Sequence, residues 1–532
     1  MVRYNLIFLT CLFFNSLYSQ VEFNIVKQAQ VTGLPGGNLS NIWGYKALDG
    51  KEYAIVGSIT ATNFYDVTNC GNPILKTSII DGISTSWREY KTYKKYAYSV
   101  SEGSNSGGLK MFDMTNIQNG VVLFSQRTFP RDTFFRSGHT VSIDTINARM
   151  YVSGAHDGTT NNSLLYIYQL YETRLEPTLL RKVKLNDMIN QPNLNLYIHD
   201  LYVENNIVYA SHGNSGFYIW DCTDPQNIVL LGSNDDNNPG TNVNGYNHST
   251  WRHPFHPEYF YCAEETADQP MIVYKVTQTS TAATITIPKT FKDPLGAPTF
   301  NNNIYHNPHI VGNGLYISAY NDGIQLYDIS SPESPVRVGY YDTYPQRPTA
   351  TQGYNGFNGA WGVYPFLPSG CILASDINNG FFTMKTKFPK INFNGNLDLS
   401  STVGAGIIFK DSLNQLKHLF VNSVGVLTVA NYTGSLQNNY RADSADVEIV
   451  TPLRNIYLKG NNEKIYKVEI SNTGNFFLSQ AETTIPLPKT SISNNIFIDN
   501  KEKGLILTSS NGQRWKATIT KAGNLKTTKT AF

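Results

Sequence analysis

Four histidines, His139, His199, His248 and His309, open four successive copies of a repeated segment, and Trp43, Trp87 and Trp361 hold the corresponding place in three more. Asp200, His253 and His306 lie close to them in sequence. Neutral imidazoles and a carboxylate are ligands for zinc and other transition metals. If the markers begin the innermost strands of a ring, then His139, His199, Asp200, His248, His306 and His309 form a candidate metal set. A metal with an open position there would activate water. The architectural reading is favoured over this one. Tryptophan ligates no metal, so a marker that alternates between His and Trp first fills a ring, each imidazole bonding a neighbouring blade or its own turn. The spacing His248, His253, His256 crosses a strand and a turn and is not a helical zinc motif.

Two further groups of residues have chemistry to offer. Asp235 and Asp236, within NDDNNPGTNVNG from Asn234, present hard oxygens suited to calcium. They lack the order of an EF-hand loop, and Asn, Asp, Gly and Pro are also what a long turn contains. Trp87 and Trp251, each followed by arginine, are candidates for stacking on a sugar or anchoring a peptide, with packing between blades as the alternative. No nucleophile elbow, phosphate loop, His-Glu-x-x-His or dinucleotide fingerprint is present. A net charge of +2 without a run of Lys and Arg excludes a nucleic-acid partner.

The elements that carry these residues repeat. About ten residues after each marker comes a strand rich in Tyr, Ile and Val, such as YAYSV from Tyr96 or LYISA from Leu315. A third strand ends in an aromatic–Asp pair at Tyr65-Asp66, Phe112-Asp113, Trp220-Asp221 and Tyr327-Asp328. An Asp there, followed closely by Thr or Ser, can hydrogen-bond the turning backbone. A fourth strand follows, as in PILKTSII from Pro73. The markers stand 44 to 61 residues apart, the size of one four-stranded blade. Seven copies predict a seven-bladed β-propeller over residues 20–388. The last copy lacks a fourth strand, and Phe23 to Val31 precedes the first marker, so the N-terminal strand is expected to complete the last blade. With 41% hydrophobic residues in a chain of 532, including 34 Tyr and 27 Phe, the composition also leans to all-β.

Residues 389–532 carry a tighter repeat: Phe409, Leu458 and Leu507 stand 49 residues apart, as do Gly425, Gly474 and Gly523. Each copy reads as strand, polar turn, strand and glycine turn. Three such hairpins predict a three-fold β domain, of which a trefoil is one version. At the other end, Arg3 and the apolar run Leu6–Phe14 read as a signal peptide over 1–19, cleaved after Ser19. No later stretch reaches transmembrane length. Cys70, Cys222, Cys262 and Cys371 lack the spacing of a metal site, leaving one or two bridges or buried free thiols as alternatives.

The first 390 residues resemble the bacterial choice-of-anchor B family, whose propeller repeats are related to the LVIVD type. The resemblance is carried by NIWGY from Asn41, STSWREYK from Ser84, HNPHIVGNGLYISAYNDGIQLYDISSPESP from His306, YDTYP from Tyr341 and FNGAWGVYPFLPSG from Phe357. It implies an exported, secreted or cell-surface protein and brings no enzymatic activity with it. Such proteins usually carry a C-terminal anchoring or sorting signal. The end of this chain, NLKTTKTAF, departs from that pattern. The sequence therefore predicts a binding or adhesion protein recognising an extracellular protein or glycan through propeller loops, with zinc or calcium as candidate cofactors. The rivals are a metal-dependent extracellular hydrolase or lyase using a histidine-lined channel, and a structural surface component.

Overall fold

A computed structural model describes residues 22–386 apart from short stretches (103–106, 129–132, 159–163, 190–195, 235–244, 296–302, 330 and 346–355), and the strands beyond 389 apart from most of the turns that join them. Residues 1–19, expected to be a signal peptide, and the calcium candidates Asp235 and Asp236 lie outside the described residues. Among the described residues, seven antiparallel sheets precede Thr386. Their first strands are Leu39–Lys46, Arg88–Tyr93, Thr140–Asp144, Asp200–Glu204, Asn247–Arg252, Asn307–Val311 and Ala360–Tyr364. Each of these contacts the first strands of both neighbouring sheets, and the seventh contacts the first. The sheets therefore close into a propeller around an axis lined by their innermost strands.

Alternation of side chains across each strand gives every sheet two apolar faces, and the hydrophobic clusters lie between consecutive sheets. Tyr98, Val100, Leu109 and Met111 of the second sheet pack against Val141, Met150, Val152 and Tyr166 of the third. Leu39, Val56 and Tyr65 of the first meet Leu373 and Phe381 of the seventh. The tyrosine-rich composition is spent here, because a buried ring fills the wedge between sheets while its hydroxyl reaches a polar atom. Tyr168 donates to the Thr133 carbonyl at 2.8 Å and Tyr261 to that of Pro332 at 3.0 Å. The aromatic–Asp pairs work as the turn chemistry requires. The backbone N–H groups of Thr68, Thr115 and Thr223 donate to Asp66, Asp113 and Asp221 at 3.0, 2.9 and 2.8 Å.

Ring closure uses the N-terminus. Strand Ile25–Val31 pairs antiparallel with Gly380–Thr386 and becomes the outer strand of the seventh sheet. Glycines show that it occupies a fourth-strand position. At Gly108, Gly323 and Gly380, all with positive φ, a Cβ would collide with the carbonyl of the fourth strand, at Arg127, Tyr341 and Val31 respectively. The seam between the seventh and first sheets is also covalent: Cys70 is bonded to Cys371, whereas Cys222 and Cys262 are buried free thiols. Glu22–Phe23 adds a short fifth strand to the sixth sheet.

Beyond the propeller the 49-residue repeat becomes three five-stranded sheets. Each is built around one antiparallel meander: Ile407–Lys410 with Leu416–Val421 and Leu427–Asn431, then Ile456–Lys459 with Ile465–Ile470 and Phe476–Gln480, then Leu505–Thr508 with Arg514–Ile519 and Leu525–Lys529. Equivalent residues meet in one core, Ile407, Ile456 and Leu505 beside Leu419, Val468 and Ala517. Parallel ladders join strands of different repeats, such as Asn396–Val403 with Ile456–Lys459 and with Lys489–Ser491. These ladders go beyond the three hairpins read from the repeat, because pairing between copies leaves no mark on the sequence of one copy. Among the described residues no helix is long and apolar enough to cross a membrane.

Candidate functional site

The backbone fixes which residues face the axis. His139, His199 and His306 each donate a backbone N–H to the carbonyl of a serine in the adjoining strand: Ser153, Ser211 and Ser318, at 2.9, 2.8 and 2.9 Å. His306, rather than His309, is thus the sixth sheet's equivalent of His139 and His199. His248 and Trp361 stand where the register shifts in their sheets, between Asn247 and Ser249 and between Ala360 and Gly362. Such bulges re-aim a side chain, here into the same ring. The result is a stair of rings around the axis: His139 to His199 and His199 to His248 at 4.1 Å between centroids, His248 to His306 at 4.3 Å, and His306 to Trp361 at 4.8 Å.

These residues line a small cavity together with Trp87, Glu89, Asp200, Glu265 and Asn307. Glu265, from the turn after the second strand of the fifth sheet, is the group that sequence reasoning missed. It lies outside every marker segment, and its only signal was an acidic pair following a buried strand. Its two oxygens lie 3.5 Å from His248 Nε2 and 3.6 Å from His306 Nε2, and the Tyr320 hydroxyl donates to Oε1 at 2.5 Å. A ring nitrogen of His199 joins His248 and Glu265, the three ligand-type atoms all within 4.8 Å of one another.

The other ring nitrogens set the tautomers. His199 Nδ1 lies 3.2 Å from the His248 carbonyl and His306 Nδ1 lies 2.5 Å from the Trp361 carbonyl. A carbonyl only accepts, so both Nδ1 atoms carry the proton and, in the neutral ring, Nε2 presents a lone pair. His248 faces the backbone of His306 in the same sense, outside the geometry of an ordinary hydrogen bond. Burial, reinforced by neighbouring imidazoles, holds His199 and His248 well below the usual histidine range, and burial brings His306 down to about 3. His139 behaves differently. Burial opposes its charge, but the Glu102 carboxylate, 2.7 Å from Nδ1, outweighs it and leaves the imidazole above its ordinary value. Burial pushes Glu265 up to about 7 against the opposing effects of Tyr320 and His139.

The remaining candidates are distributed along the axis. Asp200 turns away from the imidazoles: it accepts from Thr140 Oγ1 at 2.8 Å and the Leu201 N–H at 2.7 Å. It also reinforces the burial that pushes Glu89 up to about 7. A second small space continues from Glu89, Asp200 and Asn307 to Lys91, Trp251 and His309. There His309 packs on Trp251 and Trp43, at 4.6 and 5.9 Å between centroids, while Trp43 donates to Thr92 Oγ1 at 3.2 Å. Trp43 and His309 therefore stand together at the far end of the axis, His309 three residues beyond His306. Trp251 also packs on Phe366, but Trp87 borders the histidine cavity with 48% of its surface exposed. His253 is buried against the Ile329 carbonyl at 3.1 Å, away from both spaces.

Ladders and axis together define an all-β propeller with a polar, histidine-lined core. No family model matches the chain, and no curated protein matches it. Among solved structures it is similar to the β-propeller domain of Cps50 (Swd1) from Myceliophteria thermophila, at 10% identity and a TM-score of 0.44, over 66% of this chain and 98% of that one.

Proposed function

We propose that the protein is an exported binding module that takes an extracellular protein or glycan at the mouth of the propeller axis. One observation carries this reading: large aromatic rings are exposed at the cavity lining or close beside it. Trp87 is 48% and Phe357 55% exposed. Phe357 lies 5.3 Å from Tyr320, which in turn packs on His306. Behind them Tyr197 and Tyr246 pack on His199. An amphipathic rim over a polar floor suits a sugar face or a peptide side chain, which stacks on rings whose few torsions cost little entropy to fix. Export is supported by the disulfide across the seam, since such bonds persist in oxidising compartments, and by the apolar N-terminal run. The resemblance to the choice-of-anchor B family, with its LVIVD-related repeats, points to the cell surface.

The test is binding of the mature protein to glycan and peptide arrays, repeated with Trp87→Ala and Phe357→Ala. The expected outcome is a ligand whose affinity falls at least about tenfold in either variant, equivalent to about 1.4 kcal/mol, with unchanged thermal stability. A ligand bound equally well by both variants removes the mouth from consideration. A metal-dependent extracellular hydrolase or lyase is the second reading, favoured by the imidazole nitrogens that meet at Glu265. Turnover of a glycan or peptide that is captured on the array, abolished by Glu265→Gln, would establish it.

A further inference from the structure

The floor of the axial cavity brings imidazole nitrogens and a carboxyl group together. With Nδ1 committed to backbone carbonyls in His199 and His306, their neutral rings have no proton left for Nε2. The nitrogens of His248 and His306 nevertheless face the two oxygens of one carboxylate at 3.5 and 3.6 Å. The His306 lone pair faces the carboxyl group, His248 Nδ1 has no hydrogen-bond partner among the described residues, and the side chains concerned are buried, His199 at 7%, His248 at 4% and His306 at 3% exposure. A cation suits this meeting of nitrogen and oxygen donors. Ligand atoms around a tetrahedral zinc at about 2.0–2.2 Å from the ion are about 3.4 Å apart, close to the spacings at Glu265. The ligand-type atom of His199 lies within 4.8 Å of those of His248 and Glu265.

We infer that the propeller axis is a resident site for a first-row divalent transition metal, of the zinc class, held by His199, His248 and Glu265, with His306 as the nearest fourth ligand. The outer partners are those that such a site uses. Imidazole Nδ1–H groups bond to backbone carbonyls and fix the rings, and the Tyr320 hydroxyl orients the carboxylate. Nitrogen and carboxylate donors select zinc, iron, cobalt or nickel over calcium and magnesium, which prefer oxygen alone. Neither Asp200 nor His309 belongs to the converging group: Asp200 Oδ1 already accepts two hydrogen bonds, and His309 stands at the far end of the axis. His139 is not among the residues whose ligand-type atoms converge. The inference rests on neither reading of the mouth, because it concerns what the floor holds and not what the rim recognises.

Elemental analysis of the full-length protein, made without a histidine tag and never exposed to chelator, is the direct experiment. One equivalent of a transition metal is expected in the wild type and in His309→Ala, falling to background in Glu265→Gln and His248→Ala. Circular dichroism establishes that each variant is folded. As a measurement that needs no variant, chelator-stripped wild type is titrated with zinc or cobalt. A rise in melting temperature and, with cobalt, the visible absorption of a tetrahedral site are expected. Wild type that carries no transition metal and shows no response to either ion overturns the inference and leaves a proton between imidazole and carboxylate. Metal retained undiminished in both Glu265→Gln and His248→Ala overturns it too. Neither readout involves a glycan or peptide, so failure of the binding reading is distinguishable from failure here.

Discussion

Asp81 accepts from two buried cations at once, Arg88 at 2.5 Å and Lys110 at 2.9 Å, all three side chains being at most 1% exposed. Arg88 also reaches the carbonyls of Ile59 and Ile83, so the group ties the first sheet to the second. Burial opposes the Asp81 charge, but its two cations outweigh this and hold the carboxyl below its ordinary value. Lys110 is brought down to about 8, first by burial and then by Arg88. Removing the shared anion strands two charges, so Asp81→Asn is expected to cost about 3–5 kcal/mol in chemical denaturation. Lys110→Met, which removes the surplus charge, is expected to be near neutral or stabilising. The signs follow in pH. A carboxyl with a depressed folded pKa stabilises above its unfolded value and loses that contribution as pH falls through the folded one. A lysine depressed to about 8 binds fewer protons folded than unfolded between that value and about 10.4, so stability rises with pH across this window. The alkaline rise should vanish in Lys110→Met, which a denaturation series at several pH values reads directly.

At the scale of the element, closure is the feature that a repeat protein most needs, because an unclosed ring leaves two sheet edges open to other chains. Strand Ile25–Val31 and the Cys70–Cys371 bond act at the same seam, one by a ladder and the other by a covalent tie across 301 residues. Gly380 permits the closing strand to approach, since its φ is +96° and a methyl group there would strike the Val31 carbonyl. Gly380→Ala is therefore expected to destabilise by more than the 0.4–1 kcal/mol scale of a compatible glycine replacement, about 2 kcal/mol, and to increase aggregation on heating. Cys371→Ser is expected to lower stability by about 2–4 kcal/mol, with the same loss in wild type treated with reductant. Thermal unfolding with and without reductant checks both.

In the whole molecule, two symmetries of different kind share one chain. The propeller repeats a sheet around a polar axis, and the C-terminal region repeats a meander around an apolar one. Its core draws on Ile407, Ile456 and Leu505, on Leu458 and Leu507, and on Leu419, Val468 and Ala517, with Phe255 of the propeller packed against the same cluster. Leu458→Ala should cost about 2–5 kcal/mol by opening a cavity in that core. The expected result is faster proteolysis beyond residue 389 with the metal content of the axis unchanged. A function housed at the mouth would survive it, whereas attachment through the C-terminal sheets would not.

Periodicity was legible because it is written in every copy. The strand patterns, the aromatic–Asp turns and the N-terminal strand that completes the ring all follow from local composition and spacing, which fix what each segment can pair with. Four of the seven markers, His139, His199, His248 and Trp361, enter the axial ring, the last two through the register shifts in their sheets. The other placements depended on register as well. His306 and His309 are three residues apart in one strand, and only the ladder to Gly314–Ser318 decides which one faces the other imidazoles. Trp43 is displaced along its strand by the register shift between Leu39 and Ile42. Glu265 and Tyr320 come from turns of two different sheets, 55 residues apart, and no spacing rule joins them. The sequence by itself determined the kind of sheet, its repetition and its closure, because these are nearest-neighbour properties of the chain. Which side chains converge on the axis, and which hydrogen bonds leave their nitrogens facing a carboxylate, only the closed ring decided, because convergence is a property of all the sheets at once.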